Sequence, residues 1–199
     1  MKTLKLFVVC LLFLSICSCS KDDDSNEDDI KQQVENFVTP ELIQTLQELG
    51  FNFNDGEDTP NIEGRFYYDP NELAASNVPN DNPIGSVFIS LEVEFSELKP
   101  EQRQFTLKTK EGTNSQSEAV TNTFYSGIGN KFSAYAKLDV STEGGVITIL
   151  YAFSGTIMEN GITNAQEALI MLDDNGVDGV IENTQGRLFK DSDDLAERQ

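Results

Sequence analysis

The stretch 87-VFISLEVEF-95 places Val87, Ile89, Leu91, Val93 and Phe95 at alternate positions, with Ser90, Glu92 and Glu94 between them. A period of two with polar residues interleaved predicts an antiparallel strand with one buried face. The pattern recurs downstream. Phe105 and Leu107 alternate with Thr106 and Lys108, and a run from Ala119 to Tyr125 follows. Phe132, Ala134, Ala136, Leu138 and Val140 form the next series, then Ile147, Ile149, Tyr151, Phe153 and Ile157. Ile62 to Tyr68 opens the set; Ala168 to Leu172 and Gly186 to Lys190 end it.

Turn signals punctuate these runs, among them Pro79-Asn80-Asp81-Asn82-Pro83, Glu143-Gly144-Gly145, Glu159-Asn160-Gly161 and Asp174-Asn175-Gly176. About eight strands joined by short turns predict a meander. A sheet this long must hide its edges, and closure does that best. The expected fold is therefore mainly β: an antiparallel up-and-down barrel over residues 51–199. A two-sheet β-sandwich is the alternative.

Upstream, the periodicity is helical. Ile30, Val34, Phe37 and Val38 share one stripe, and Leu42, Ile43, Leu46 and Leu49 share another. Thr39-Pro40 between them suits a helix start and Gly50 a helix stop. Residues 30–50 are expected to be a helical segment packed by its apolar stripe against the β domain.

The first residues read as an address. Lys2 and Lys5 precede a short apolar run from Leu6 to Ile16. That run is shorter than the roughly 20 residues a membrane-spanning helix needs, and fits a secretory leader. Ile16-Cys17-Ser18-Cys19 resembles a bacterial lipobox. The resemblance implies cleavage after residue 18 and lipidation of Cys19, which would anchor the chain on a membrane. Residues 19–29 are then an acidic tether, since Ser20 to Asp29 contains no apolar residue and cannot offset the entropy of ordering. Lys21, Asp22, Asp23 and Asp24, just after the cysteine, resemble the signal that sends lipoproteins of Bacteroidota to the cell surface. The expected location is the outer membrane, facing outward.

Composition narrows the chemistry. All three cysteines (Cys10, Cys17 and Cys19) lie at the start of the chain, so cleavage and lipidation would leave no free thiol for a disulfide, a nucleophile or a metal. The chain has no histidine, which removes the commonest general base and the usual zinc ligands. Against 14 Lys and Arg stand 34 Asp and Glu. A net charge of −20 repels nucleic acid, so no such partner is expected. No catalytic set and no cofactor motif stands out, and a non-enzymatic role is expected. The partners expected are the membrane through the lipid anchor, and a small ligand or a surface protein.

Two acidic loops bear on calcium: 52-NFNDGED-58 and 173-DDNGVDGVIE-182. In the second, Asp173, Asp174 and Asp178 are the candidate ligands. Calcium takes six to eight oxygens, and neither loop keeps the full EF-hand pattern. The competing reading is a tight turn with Asn175-Gly176 at positive φ. Gly127-Ile128-Gly129 likewise reads as a turn between strands.

Gly64-Arg65-Phe66 resembles the G-x-W that opens the first strand of lipocalins, with Phe66 at the Trp position. There a basic residue from the last strand region covers the ring, and Arg187 is the expected cation. More widely, Thr39-Pro40-Glu41-Leu42, Ser126-Gly127-Ile128-Gly129-Asn130-Lys131-Phe132 and Gly186-Arg187-Leu188-Phe189 resemble uncharacterised lipocalin-like surface lipoproteins of Bacteroidota. That resemblance implies a lipocalin-like barrel and no set activity.

Overall fold

The computed structural model describes residues 24–112, 115–119 and 122–199. Two helices come first, α1 (Asp24–Phe37) and α2 (Pro40–Leu49). Then follow β1 (Gly64–Tyr68), β2 (Asn71–Ser76), β3 (Val87–Phe88), β4 (Leu91–Lys99), β5 (Gln104–Glu111) and β6 (Ser115–Ala119). The remainder are β7 (Thr123–Ile128), β8 (Lys131–Thr142), β9 (Gly145–Met158), β10 (Gly161–Asp173), β11 (Gly186–Asp191) and β12 (Leu195–Arg198). The fold is mainly β and every pairing is antiparallel, as the alternation predicts.

Several segments are halves of one longer strand. β1 and β2 meet β4 and β3 in one unbroken register, Phe66 opposite Val93 and Asn71 opposite Phe88. β11 and β12 lie end to end along β10, and on their other side along β2 and β1. Counted this way, about eight long strands succeed one another in up-and-down order. β12 was not foreseen: Leu195 to Arg198 holds one buried residue, Ala196, in a polar run.

Closure is where expectation and structure part. β6 pairs β5, and β7 pairs β8, but the ladder is not closed between β6 and β7. At this seam Tyr125 N donates to Arg103 O at 3.0 Å. Beside it, Thr123 Oγ1 donates to Phe105 O at 2.6 Å and accepts from Phe105 N at 3.1 Å. A side-chain hydroxyl thus takes the place of a ladder amide. The sheet curls round a core without the continuous ring of a closed barrel. Val120 and Thr121, part of the expected run from Ala119 to Tyr125, lie outside the described residues.

The opening strand also differs from its reading. Leu91, Val93 and Phe95 are buried, but Val87 and Ile89 are 64% and 58% exposed. The strand breaks between β3 and β4, and Phe88 rather than Val87 turns inward to meet Phe189 at 5.0 Å. The partner strand shifts in step. Tyr68 faces Leu91 and Asn71 faces Phe88, with Pro70, which has no N–H to give a ladder, between them.

Two apolar layers result. One lies inside the curl and holds Phe66, Phe95, Phe105, Phe132 and Phe153. The other lies on the outer face, where Tyr135, Leu150, Ala152, Ala168, Ile170 and Leu188 meet the helices. Strands β9 and β10 are therefore buried on both faces, which explains their long apolar runs. Against them pack Val34 and Val38 of α1 and Leu42, Leu46 and Leu49 of α2. Helix α2 starts with Pro40 in its first turn and stops at Gly50, φ +86°. Gly50 N donates to Gln47 O and Phe51 N to Leu46 O, so two end carbonyls are satisfied.

Helix α1 begins at Asp24, earlier than the expected start at Ile30. Residues 24–29 are thus helix rather than tether; acidic residues are favoured in a first turn, where the macrodipole is positive. The leader, Cys19, Lys21, Asp22 and Asp23 lie outside the described residues.

Candidate ligand-binding cavity

The strands enclose a space that is sealed at one end and open at the other. At the sealed end the interior positions are phenylalanines in edge-to-face contact. Phe95 lies 5.5 Å from Phe105, 5.5 Å from Phe153 and 6.1 Å from Phe132. Phe66 adjoins Phe95 at 6.1 Å, and Arg198 lies over its ring at 4.7 Å. Arg198 Nη1 also donates to Glu63 O at 2.9 Å. Gly64 leaves room for that guanidinium, because a Cβ there would collide with Nη1.

The cation over Phe66 is thus Arg198, and the expectation for Arg187 is corrected. Arg187 sits at the opposite end of the curl. Its Nε and Nη2 each donate to Asp81 at 2.8 Å, and its guanidinium stands 5.5 Å from the Phe88 ring. Strand order alone does not tell which arginine of the terminal strands comes level with Phe66. Register does: Phe66 faces Arg198 across β1 and β12.

The open end holds a cavity of ≈ 1380 Å³. Its walls alternate aliphatic and polar. Ile147, Ile149, Leu169 and Met171 supply the aliphatic part. A rim segment around Val78–Asp81 is fastened to the wall by Asp81 and Arg187, with Ser76 Oγ donating to the same Asp81 carboxylate. Asp81 is 7% exposed and Arg187 25%. The guanidinium holds the Asp81 carboxyl well below its ordinary range. Asn77 extends the clamp: its Oδ1 accepts from Gly186 N at 2.7 Å.

Tyr151 and Glu111 are at the floor, where the phenol donates to Glu111 Oε1 at 2.8 Å. One inward position deeper on β10, Glu167 follows Leu169, roughly 7 Å down the strand. Glu167 is buried and accepts from Asn71 Nδ2 at 3.2 Å. Burial, and then the charge of Glu111, push its carboxyl up to about 8. Tyr68 is fully buried beside it; burial and then the charges of Glu167 and Asp191 raise its phenol. Asp191 is raised to about 6, first by burial. Two atoms of this group, Tyr68 OH and Asn71 Oδ1, have no hydrogen-bond partner.

None of these polar residues at and beneath the floor was singled out from sequence. The available signal was Glu167 just before the apolar run Ala168 to Leu172 of β10. It was masked because both faces of that strand are buried, so alternation does not mark an inward acid.

The candidate calcium residues do not converge. Asp173 Oδ1 accepts from Asn175 N at 2.9 Å and Asp174 Oδ1 from Gly176 N at 2.8 Å, which are turn contacts. Among the described residues no group of three or more acidic, Cys or His side chains could hold a metal ion. The other acidic loop is a strap across β7 and β8. Asn54 N donates to Ser133 Oγ at 2.7 Å and Asn54 Nδ2 to Phe132 O at 2.9 Å. Of Gly127-Ile128-Gly129, expected as a turn, only Gly129, at φ +61°, is in the β7–β8 hairpin turn, together with Asn130; Gly127 and Ile128 belong to β7 and pair with Phe132 and Lys131.

Comparison with family models, with curated proteins and with solved structures finds no match for this chain. Among the described residues no helix is long and apolar enough to cross a membrane.

Proposed function

We propose that this chain is a surface-displayed outer-membrane lipoprotein, held by a lipid on Cys19, whose β domain binds one small ligand without transforming it. One observation carries the reading of the β domain: a curled sheet sealed by aromatic side chains at one end and open to a cavity of ≈ 1380 Å³ at the other. A cavity of this kind accommodates a small molecule, with apolar walls for burial and a few polar groups for orientation. Aliphatic walls with carboxylates and a phenol suit an apolar or a carbohydrate ligand. The Gly64-Arg65-Phe66 segment under Arg198 supports the lipocalin-like resemblance, since a cation from the last strand covers the first-strand aromatic.

A neutral apolar dye, N-phenyl-1-naphthylamine, tests the cavity. Its fluorescence should rise on mixing with the protein, and the double variant Ile149→Phe/Leu169→Phe, which fills the walls, should remove the rise. A signal that the filled variant keeps would defeat the reading.

A second reading, an interaction module of a surface complex, draws on Ile84, Val87 and Ile89, which are 61%, 64% and 58% exposed within one short segment. Crosslinking on whole cells from these positions should then yield one recurrent partner; absence of any crosslink speaks against it.

A further inference from the structure

We propose that residues 177–181, in the connection from β10 to β11, form a hinged cover over the cavity. The segment lifts to admit the ligand, then closes to lay Val180 and Ile181 against it. The inference rests on the reading of the cavity as a ligand site. It adds how that site is reached and what completes its apolar side.

The connection is long for its task. β10 ends at Asp173 and its neighbour β11 starts at Gly186, whereas a hairpin loop needs only about two to five residues. The excess folds inward. Val177, Val180 and Ile181 are half-buried and pack on the inner apolar layer. Val180 and Ile181 line the cavity together with Ile147, Ile149, Leu169 and Met171.

Two loop segments at the mouth are held in different ways. The rim around residues 78–81 is fixed by polar bonds. Arg187 donates twice to Asp81, Ser76 Oγ donates to the same carboxylate, and Asn77 exchanges two bonds with Gly186. The β10–β11 connection is tied down only at its legs. At the first, Asn175 Nδ2 donates to Val146 O at 2.9 Å and Asp174 N to Asn183 Oδ1 at 2.7 Å. At the second, Thr184 N donates to Met171 O and Met171 N to Gln185 O, both at 2.9 Å. Between the legs, residues 177–181 make no hydrogen bond to the wall among the described residues. The one bond of this segment, Val177 N to Asp174 O at 2.9 Å, is internal to the connection.

A segment held in this way opens easily. Lifting it breaks no hydrogen bond to the wall and uncovers three side chains that are already partly exposed. Apolar contact is non-directional, so it re-forms over a ligand as readily as over the bare wall. Gly176 and Gly179 supply the turning points. Their φ angles are +72° and +82°, a region where glycine rests without strain, and the space a Cβ would take at either is open. The latch is Val177, which rests on the β8–β9 hairpin where glycines leave room. A Cβ on Gly144 would stand 2.8 Å from Val177 Cγ1, and one on Gly145 3.1 Å from Cγ2.

The test pins that latch. A Cβ on Gly144 falls 3.8 Å from Val177 Cβ, the usual spacing across a disulfide. The variant Gly144→Cys/Val177→Cys of the full-length chain is oxidised, and peptide mapping verifies the crosslink. Stopped-flow fluorescence then follows the uptake of N-phenyl-1-naphthylamine. The crosslinked protein should take up the dye at least about tenfold more slowly than the same protein after reduction. The parent chain, oxidised and reduced in the same way, should show no change. A second variant, Val180→Ser/Ile181→Ser, needs no crosslink and loosens the cover. It should speed association as well as dissociation by several-fold, whereas loss of a ligand contact alone would speed dissociation only.

Equal uptake by the crosslinked and reduced forms overturns the cover and leaves the cavity reading standing. An association rate unchanged in Val180→Ser/Ile181→Ser overturns it as well, whether or not the crosslink forms. A parent chain that gives no rise in fluorescence defeats the cavity reading itself, and the cover falls with it.

Discussion

Arg198, one residue from the end of the chain, places its guanidinium carbon 4.7 Å above the ring of Phe66 in the first strand. The contact seals the aromatic end of the curl and ties the last strand to the first. Phe66 is fully buried, whereas Arg198 is exposed, so the two contribute unequally. Phe66→Ala should cost about 3–5 kcal/mol. Arg198→Ala should cost only about 0.5–1 kcal/mol, as exposed cation–π contacts do. Urea unfolding of both single variants and the double variant checks this. A coupling indistinguishable from zero would mean the pair does not interact.

Glu167 should make the protein less stable as pH rises. Its folded carboxyl titrates near 8, above the ordinary value of 4.5, so the folded state holds a proton the unfolded state has lost. Stability is then full below the unfolded value and falls progressively between about pH 4.5 and 8. Glu167→Gln should flatten this slope and exceed the wild type in stability at pH 8. Thermal melts at a series of pH values measure it; parallel slopes for the two proteins would contradict the assignment.

Asp81 works in the opposite sense. Its carboxyl is held below the ordinary value by Arg187, so its contribution is present above that value and lost as pH falls below it. Asp81→Asn should cost about 1–3 kcal/mol at neutral pH, in line with a hydrogen bond to a charged group. It should also raise amide exchange in residues 77–83. Unchanged exchange there would show that the rim does not depend on this pair.

Leu46 is fully buried between α2 and the outer face of the sheet. Leu46→Ala should destabilise the protein by about 2–5 kcal/mol. If chemical denaturation shows a loss below about 1 kcal/mol, the helices are not integral to the fold.

The address has its own experiment. Cys19→Ala should abolish metabolic lipid labelling, whereas labelling that persists would point to Cys17. Replacing Asp22, Asp23 and Asp24 by Asn should leave the protein shielded from protease added to whole cells. Continued cleavage would remove the export role of those residues.

The antiparallel order was legible because most inner faces meet outer faces of different polarity. Phe132, Ala134, Ala136 and Leu138 in β8 are all inward, as period two requires. Helix α2 was legible from both ends, through Pro40 and Gly50. The break that turns Phe88 inward was not, since nothing in 87-VFISLEVEF-95 marks the slip between Phe88 and Leu91. It lies opposite the break between Tyr68 and Asn71 in the partner strand, which the sequence of residues 87–95 does not contain. The buried polar group beneath the cavity was hidden for a related reason. Tyr68, Asn71 and Glu167, and Glu111 above them, come from four different strands and share no spacing that a sequence could display.

The course of α1 gives the molecule a foot and a mouth. Its last turn, at Phe37, touches Phe124 and Lys137, partway up the wall. Lys31 and Glu35, earlier in the helix, act on Asp55, which sits by Ser126 nearer the β7–β8 turn. Asp24 lies about 10 Å further along the same axis, at 1.5 Å per residue. The helix therefore descends toward the aromatic plug as one traces it back to the start of the chain. The start of α1 thus lies toward the plugged end, and the mouth opens the other way. Under the proposed attachment through Cys19, a ligand diffusing in from outside would meet the opening first, and a molecule coming from the membrane would have to travel the full height of the wall to enter.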